Sequence, residues 1–513
     1  MNGMERRPLR VAGALGTLVG LAALWVVSAF TPGVPFPPTA IADVIIRATP
    51  GGFATFFIEL LQHWALRFLG IGVLLAAVAL GAQLLVWSSF GKRLRPWLAG
   101  GILAVAALVG TVLGPGSMNP VALVLACAGA GALYALVAGS VHGTITSPAP
   151  VSVDPDVPAD PSRRRVMELG VGGAFGIATL GGILGWIGRR LGGPDRSVTL
   201  VEPAVSATIP DRPDFPEIDG HTPEITSPDD HYVVDINLVQ PTVEAEGWTL
   251  AVKGEVESPL ELTFEELQQR FEVVEEYSVL TCISNEVGGP LVGHSLWGGV
   301  RLGDVLDEAG ASSNGVDVVF RAADGYTDSI PLELAMTEDV LLAVTQNREP
   351  LTQEHGFPCR VRVPPIFGMK NVKWVREIEV VGRDYRGYWM QRGWSDVAVV
   401  RTQSRIDVVG DGQRARVGEP TWVAGVAWAG HRGISKVEVS TDGGETWNEA
   451  DVKEPINDLS WRLWTYRWSP EAGGRARVVC RATDGEGEVQ TTRRAPPHPA
   501  GATGLHSVDV EVS

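Results

Sequence analysis

The uneven distribution of charge along the chain constrains its fold more than any single motif. Up to about residue 190 the sequence is apolar and poor in charge; beyond it the texture is that of an ordinary globular protein. Val11–Phe30 is an uncharged apolar run long enough to cross a bilayer, and Phe68–Phe90 is a second. Trp97–His142 contains no ionised side chain, and the Gly114-Pro115-Gly116 break with Asn119-Pro120 divides it into two spans. Leu169–Gly188 makes another. About five transmembrane helices are therefore expected in residues 1–191. Lysine and arginine near the span ends set the orientation. Arg6, Arg7 and Arg10, then Lys92, Arg93 and Arg95, then Arg163, Arg164 and Arg165 all fall on one side of five alternating spans. That side is cytoplasmic, which puts everything after residue 191 outside; Arg189 and Arg190 oppose this assignment. Ser162-Arg163-Arg164-Arg165-Val166-Met167 has the form of a twin-arginine export signal inside the chain, and an ordinary positive-inside cluster accounts for it equally well. His63 and His142 fall at opposite membrane faces and cannot share a haem; no CxxCH motif is present.

The 513 residues leave room for about three domains. A net charge of −17 counts against nucleic-acid binding, which needs a basic surface. The four cysteines, Cys127, Cys282, Cys359 and Cys480, include no CxxC pair, so zinc ribbons, dithiol redox motifs and a disulfide framework are unsupported. Residues 192–228 carry Pro194, Pro203, Pro210, Pro213, Pro216, Pro223 and Pro228 and form a semi-extended linker. Trp248–Gly254 alternates as a half-buried strand does, and Thr263-Phe-Glu-Glu266 has capping-box form and opens a short helix. Strands and short helices mix over residues 229–396, an α+β domain. Over residues 397–513 short strands follow one another. Ser440–Trp447 carries the Asp-Gly of a tight hairpin, and Trp422, Trp428, Trp447, Trp461, Trp464 and Trp468 offer a large apolar core. This reads as an immunoglobulin-like β-sandwich, a packing or dimerisation module.

Chemistry concentrates in the α+β domain. Cys282 ends an apolar strand and enters the Gly-rich loop Ile283–Gly289. The position suits a thiolate ligand or a nucleophile, with His294 or His355 as partner to a nucleophile, and equally a small buried core residue. In His355-Gly-Phe-Pro-Cys-Arg-Val-Arg-Val-Pro364, alternation sets Arg360 and Arg362 on one strand face, opposite Cys359, Val361 and Val363. Lys370 and Lys373 follow, around Gly368-Met-Lys-Asn-Val-Lys-Trp374. Basic density of this kind in an acidic chain points to an anion, phosphate above all, ahead of the alternative of a solvated basic strand.

Tyr277–Gly310, with Cys282, Trp297-Gly-Gly-Val-Arg-Leu and Asp304–Gly310, resembles the molybdenum-ligand segment of sulfite oxidase-type enzymes. His355–Arg360 and Asn371–Trp374 resemble that family's later cofactor-binding stretches, with Ser329-Ile-Pro-Leu and Leu341–Val344 between them, and the β-rich segment resembles its dimerisation domain. The resemblance covers residues 229–513. It implies a Mo-molybdopterin cofactor with Cys282 as the protein thiolate on molybdenum, soft sulfur suiting that metal. Asp324, His355, Arg360, Asn371, Val372 and Lys373 stand where the family holds the pterin and its phosphate, and Tyr232 and Asn237 occupy the entrance segment. The implied chemistry is oxygen-atom transfer on a small oxyanion or an S- or N-oxide, with an external electron carrier and a homodimer through the C-terminal domain. Two departures bear on substrate: Ile236 replaces an arginine, and Trp394 falls where sulfite oxidases have an active-site tyrosine. Periplasmic methionine sulfoxide reductases share the cofactor mode without the C-terminal domain. A membrane-tethered binding protein with an inactive catalytic fold is the alternative from another class.

Overall fold

The computed structural model describes residues 3–31, 34–49, 65–89, 95–114, 119–146, 198–237, 240–410 and 412–513, with the single residues 53, 179 and 183. The chain divides into two compact units, Met1–Pro194 with Asn237–Val239, and Asp195–Ile236 with Gln240–Ser513.

The described part of the first unit is helical: α1 Gly3–Phe30, α2 Pro37–Ala48, α3 Ala65–Trp87, α4 Pro96–Val112 and α5 Pro120–Thr146. Proline opens α2, α4 and α5, its fixed φ and missing N–H suiting a first helical turn. Three helices among the described residues are long and apolar enough to cross a membrane, Arg6–Phe30, Ala65–Trp87 and Pro120–Gly143, rather than the five expected. One expected span falls short because α4 has 17 residues, about 25 Å of helix against a hydrocarbon core of ~30 Å. The span at Leu169–Gly188, apart from Thr179 and Ile183, lies outside the described residues, as do His63 and Ser162–Met167. The helices approach closely through glycine. A Cβ on Gly100 would sit 2.2 Å from the Gly131 carbonyl oxygen, and one on Gly13 would sit 2.6 Å from that of Gly81. Such small-residue contacts are how helices associate in lipid, and Leu75, Val105, Val121 and Leu125 point outward as an apolar surface.

In the second unit, residues 198–228 form no helix or strand, yet they are not a free tether. Ala204 N–H donates to the Val273 carbonyl at 2.8 Å, and Thr226 N–H to that of His294 at 2.7 Å, so the segment runs along the domain it precedes. Two sheets then build the central domain. One has the order β2-β1-β10-β5-β6, from Leu260–Thr263, Thr249–Gly254, Val375–Val381, Asp317–Ala322 and Thr327–Pro331; only β1 and β10 are parallel. The other has the order β3-β4-β7-β8, from Val273–Thr281, Val292–Arg301, Leu341–Gln346 and Glu349–Pro350, with β9 (Arg360–Arg362) added on β7. Helix α6 (Phe264–Arg270) begins as expected. Glu266 N–H donates to Thr263 Oγ1, and Thr263 N–H to the Glu266 carboxylate.

The C-terminal domain holds two further sheets, β11-β13-β17-β16 and β12-β19-β18-β14-β15. The first contains β11 (Gln403–Val409), β13 (Thr421–Trp428), β16 (Asp451–Val452) and β17 (Arg462–Trp468). The second contains β12 (Arg414–Ala415), β14 (Ile434–Ser440), β15 (Asn448–Glu449), β18 (Gly474–Asp484) and β19 (Ser507–Val512). Their inner faces share one core around Val423, Val437, Trp464 and Val478. The tryptophans do not all join it. Trp464 and Trp468 do, whereas Trp422 lies under Arg467 and Trp447 under Arg481. The Asp-Gly turn is also wider than expected. Residues 441–447 form a loop organised by Asp442, whose carboxylate accepts from Ser440 Oγ and the N–H groups of Glu445 and Thr446.

Candidate functional site

Cys282 is the first residue after β3, and its N–H donates to the Leu291 carbonyl at 3.0 Å, which closes the loop it enters. The thiol is buried, with Sγ 2.9 Å from Ser284 Oγ. Burial pushes its pKa up, while Ser284 and the Lys373 charge pull the other way. The four cysteines are all free and buried.

Arg360 and Arg362 leave the same face of β9, as the alternation required, and their guanidiniums lie 5.1 and 4.8 Å from the centroid of the Trp297 ring. Arg360 donates to the His355 carbonyl at 3.0 Å and the Asn371 carbonyl at 3.3 Å. Arg362 donates to the Asn371 side-chain oxygen, to Ser278 Oγ at 2.8 Å and to the Val279 carbonyl at 3.2 Å. Neither forms a salt bridge among the described residues, and the Nε of each is buried without a partner. Burial holds Arg360 down at about 10; burial and the Arg360 charge hold Arg362 at about 9. Both stay cationic at physiological pH, and Glu276 lies within electrostatic reach of Arg362.

The two lysines separate. Lys373 borders the arginine cluster, donating to Asp235 at 3.1 Å and to the Glu354 carbonyl at 3.0 Å. Burial lowers its pKa, against the pull of Asp235. Lys370 is committed elsewhere, to Asp328 at 3.1 Å, Asp396 at 2.8 Å and the Ser329 carbonyl at 2.7 Å. The expected lysine pair around Gly368 is therefore two separate ion pairs, of which that of Lys373 borders Arg360.

Tyr232 lies within electrostatic reach of Cys282, Arg360 and Arg362. A Cβ on Gly368 would sit 2.7 Å from its hydroxyl, so glycine is required there. His355 Nε2–H donates to the Pro228 carbonyl at 2.8 Å, and burial with the Arg360 and Lys373 charges lowers its pKa to about 4. Its neutral ring keeps Nδ1 as an acceptor. Asp324, in the β5–β6 turn, accepts from Tyr326 N–H at 2.9 Å, and Lys373 feels its charge. The Asn371 carboxamide works inside its own loop, accepting from Val363 N–H at 2.8 Å and donating to the Ile366 and Phe367 carbonyls. Val372 is buried and accepts from Val361 N–H at 2.8 Å. Asn237 is buried and groups with the first unit.

His231 is a residue that sequence reasoning missed. Its ring lies 5.2, 5.8 and 5.3 Å from those of Tyr232, Trp297 and His355, in the space a Cβ on Gly293 would fill. The only signal in the sequence is its adjacency to Tyr232. His294 is not a partner for Cys282: its Nδ1 lies 2.6 Å from the Glu224 carbonyl and its Nε2 3.0 Å from Ser460 Oγ.

Residues 237–389 match the oxidoreductase molybdopterin binding domain, and residues 396–495 match the Mo-co oxidoreductase dimerisation domain. A sulfite oxidase from Gallus gallus is 32% identical over 319 residues, covering 53% of this chain and 69% of that protein. The chain belongs to the sulfite oxidase-type molybdopterin oxidoreductases. The mitochondrial sulfite oxidase of Homo sapiens is 35% identical over 233 residues, 39% of this chain and 43% of that one, so the match spans under half of the human protein. The nitrate reductase [NAD(P)H] of Hordeum vulgare is 29% identical over 315 residues, 50% of this chain and 35% of that one. The crystal structure of the sulfane dehydrogenase SoxCD from Paracoccus pantotrophus is similar at 24% identity, with a TM-score of 0.49 over 56% of this chain and 82% of that one.

The family's cofactor is molybdenum carried on molybdopterin. The residues present fit it. Two buried arginines whose Nε atoms have no partner suit a phosphate-bearing group, since guanidinium donors match phosphate oxygens. Among the described residues no three His, Cys, Asp or Glu side chains converge on a metal-sized site. A metal held by a single cysteine takes its other donors from the group that carries it.

Proposed function

We propose that this sulfite oxidase-type protein is a membrane-anchored, extracytoplasmic enzyme that transfers an oxygen atom at a molybdenum centre ligated by Cys282. Bound cofactor would supply two-electron redox chemistry and a transferable oxo group. The chain's own residues would do the rest. Cys282 provides a thiolate, Arg360, Arg362 and Lys373 neutralise the cofactor phosphate, and His355, Asp324, Tyr232, Asn237 and the Asn371–Val372 backbone orient the pterin. The observation that carries this reading is the buried Arg360–Arg362 pair with its two unpartnered Nε atoms, in electrostatic reach of the same Tyr232 as the Cys282 thiol.

The proposed layout is a membrane region over residues 1–191, a linker over 192–228, a catalytic domain over 229–396 and an immunoglobulin-like dimerisation domain over 397–513. Three apolar helices support anchoring, and the basic clusters support an external catalytic domain, exported folded through Arg163–Arg165. Electrons pass to or from an external carrier. Protease protection of a tag placed after Ser513 in intact cells would refute the orientation.

A second reading has specific support. By the resemblance, Ile236 takes the place of an arginine and Trp394 that of a tyrosine in sulfite oxidases, and both are buried. Fewer cationic and phenolic groups for an oxyanion favour a neutral S- or N-oxide over sulfite. The test assays metal-loaded protein against sulfite, methionine sulfoxide and nitrate in parallel, with elemental analysis. Protein free of molybdenum from a host that makes the cofactor removes the proposal. Cys282→Ser should keep the fold and lose at least about 100-fold in activity, and survival of activity refutes the ligand role.

A further inference from the structure

Strand β3 ends its sheet, so its outer edge must be satisfied from elsewhere. The linker takes the first part, with Glu275 N–H donating to the Val205 carbonyl at 2.9 Å. The C-terminal domain takes the part nearest Cys282. Val279 N–H donates to the Leu459 carbonyl at 3.1 Å, and Asn457 Nδ2 donates to the Tyr277 carbonyl at 2.8 Å.

The same domain grips the far side of the Cys282 loop. Arg405 uses all three arms of its guanidinium. Nη1 donates to the Gly289 carbonyl at 3.0 Å, Nη2 to Thr222 Oγ1 at 2.8 Å and Nε to Asp407 at 2.6 Å. His506 lies against Gly288, where a Cβ would fall 2.2 Å from its ring, and its Nδ1 accepts from Ile406 N–H at 3.0 Å. Inside the loop the restraint continues to the cysteine. Leu291 N–H donates to Asn285 Oδ1 at 2.9 Å, Asn285 N–H to the Cys282 carbonyl at 3.0 Å, and Cys282 N–H to the Leu291 carbonyl at 3.0 Å. Cys282 therefore opens a short closed loop that Arg405 and His506 hold at its far side, directly after a strand whose edge Asn457 and Leu459 hold.

We infer that the C-terminal domain is part of the catalytic apparatus, with Arg405 and His506 as positioning residues that set where the Cys282 sulfur stands. This rests on Cys282 as the molybdenum ligand, and it gives the domain a task apart from dimerisation. The restraint matters because a displacement of about 1 Å at a reacting centre can cost on the order of 100-fold in rate.

The test uses holoenzyme and the electron paramagnetic resonance spectrum of Mo(V), which reports the geometry of the metal–sulfur bond. Arg405→Gln should shift the g-values and lower kcat at least about ten-fold, with molybdenum content and oligomeric size as in the wild type. Arg405→Lys, which keeps the charge but loses the fork, should fall between. His506→Gln should shift the spectrum in a milder way and decides the matter if Arg405→Gln does not fold. Arg475→Gln, on the exposed Arg475–Asp509 pair of the same domain, should leave the spectrum untouched. Wild-type spectra and kcat in both Arg405→Gln and His506→Gln overturn the inference, as does loss of the dimer with an unchanged spectrum. A wild-type Mo(V) signal indifferent to Cys282→Ser overturns instead the ligand assignment beneath it, and the inference with it.

Discussion

Replacing Arg360 by methionine separates the cost of the buried cation from its use. Burial draws the guanidinium from its ordinary value in water down to about 10, and at 1.36 kcal/mol per unit the folded protein disfavours this cation by roughly 3 kcal/mol. The side chain also donates two hydrogen bonds, to the His355 and Asn371 carbonyls. Bonds from a charged donor contribute about 1.5–3 kcal/mol each. The two effects nearly cancel without cofactor, so Arg360→Met should change the stability of cofactor-free protein by no more than about 3 kcal/mol. With cofactor the cation meets its anion, and the variant should lose most of the stabilisation that loading confers. Thermal melts in detergent, followed by tryptophan fluorescence on loaded and cofactor-free protein, give both differences, and molybdopterin content after gel filtration gives retention. A loss above about 5 kcal/mol in cofactor-free protein would mean that Arg360 is a structural cation with a hidden partner. An unchanged gain on loading would mean that it does not face the cofactor. Either result refutes the reasoning.

Two further perturbations read other parts of the site. Gly368→Ala puts a Cβ 2.7 Å from the Tyr232 hydroxyl; overpacking there should cost about 1–3 kcal/mol and lower cofactor retention, whereas retention at the wild-type level would place Tyr232 outside the pocket. Glu276 is raised to about 8, by burial first and then by the Asp339 charge. The folded protein then holds a proton that the unfolded chain releases near pH 4.3, so this group makes stability fall as pH rises from about 4.5 to 8. Glu276→Gln removes that slope: it should match the wild type near pH 4 and exceed it by a few kcal/mol at pH 8, and a difference independent of pH would show that the raised value is wrong.

Much of the site was legible because its signals are local. The strand-to-loop position of Cys282, the alternation of Arg360 and Arg362 and the Thr263 capping box each depend on neighbours a few residues away. What was not legible depends on distant partners. Lys370 and Lys373 look alike in sequence; Asp328 and Asp396 fold around the first, whereas the second pairs with Asp235 and borders Arg360. Asn371 reads as a cofactor contact, but its carboxamide closes the loop from Val363. His231 carries no pattern at all; it belongs to the site because Gly293 leaves room for its ring. The linker reads as semi-extended because proline suppresses regular structure, yet irregular chain can still pair with an open strand edge, as Val205 does with β3. The count of membrane helices erred where apolar length ran on past helical length, α4 ending at Val112.

The open edge of β3 also has a consequence in time. Its partner Leu459 is synthesised 180 residues after Val279. At roughly 5–20 residues per second the strand that leads into Cys282 waits about 9–36 s on the ribosome before the chain that seals it exists. Through that interval β3 is a sticky hydrogen-bonding edge that a second nascent copy could capture, and the cysteine loop lacks its outer grip. The order of translation thus leaves the pocket loose while cofactor could still enter, and closes it once the last quarter of the protein arrives.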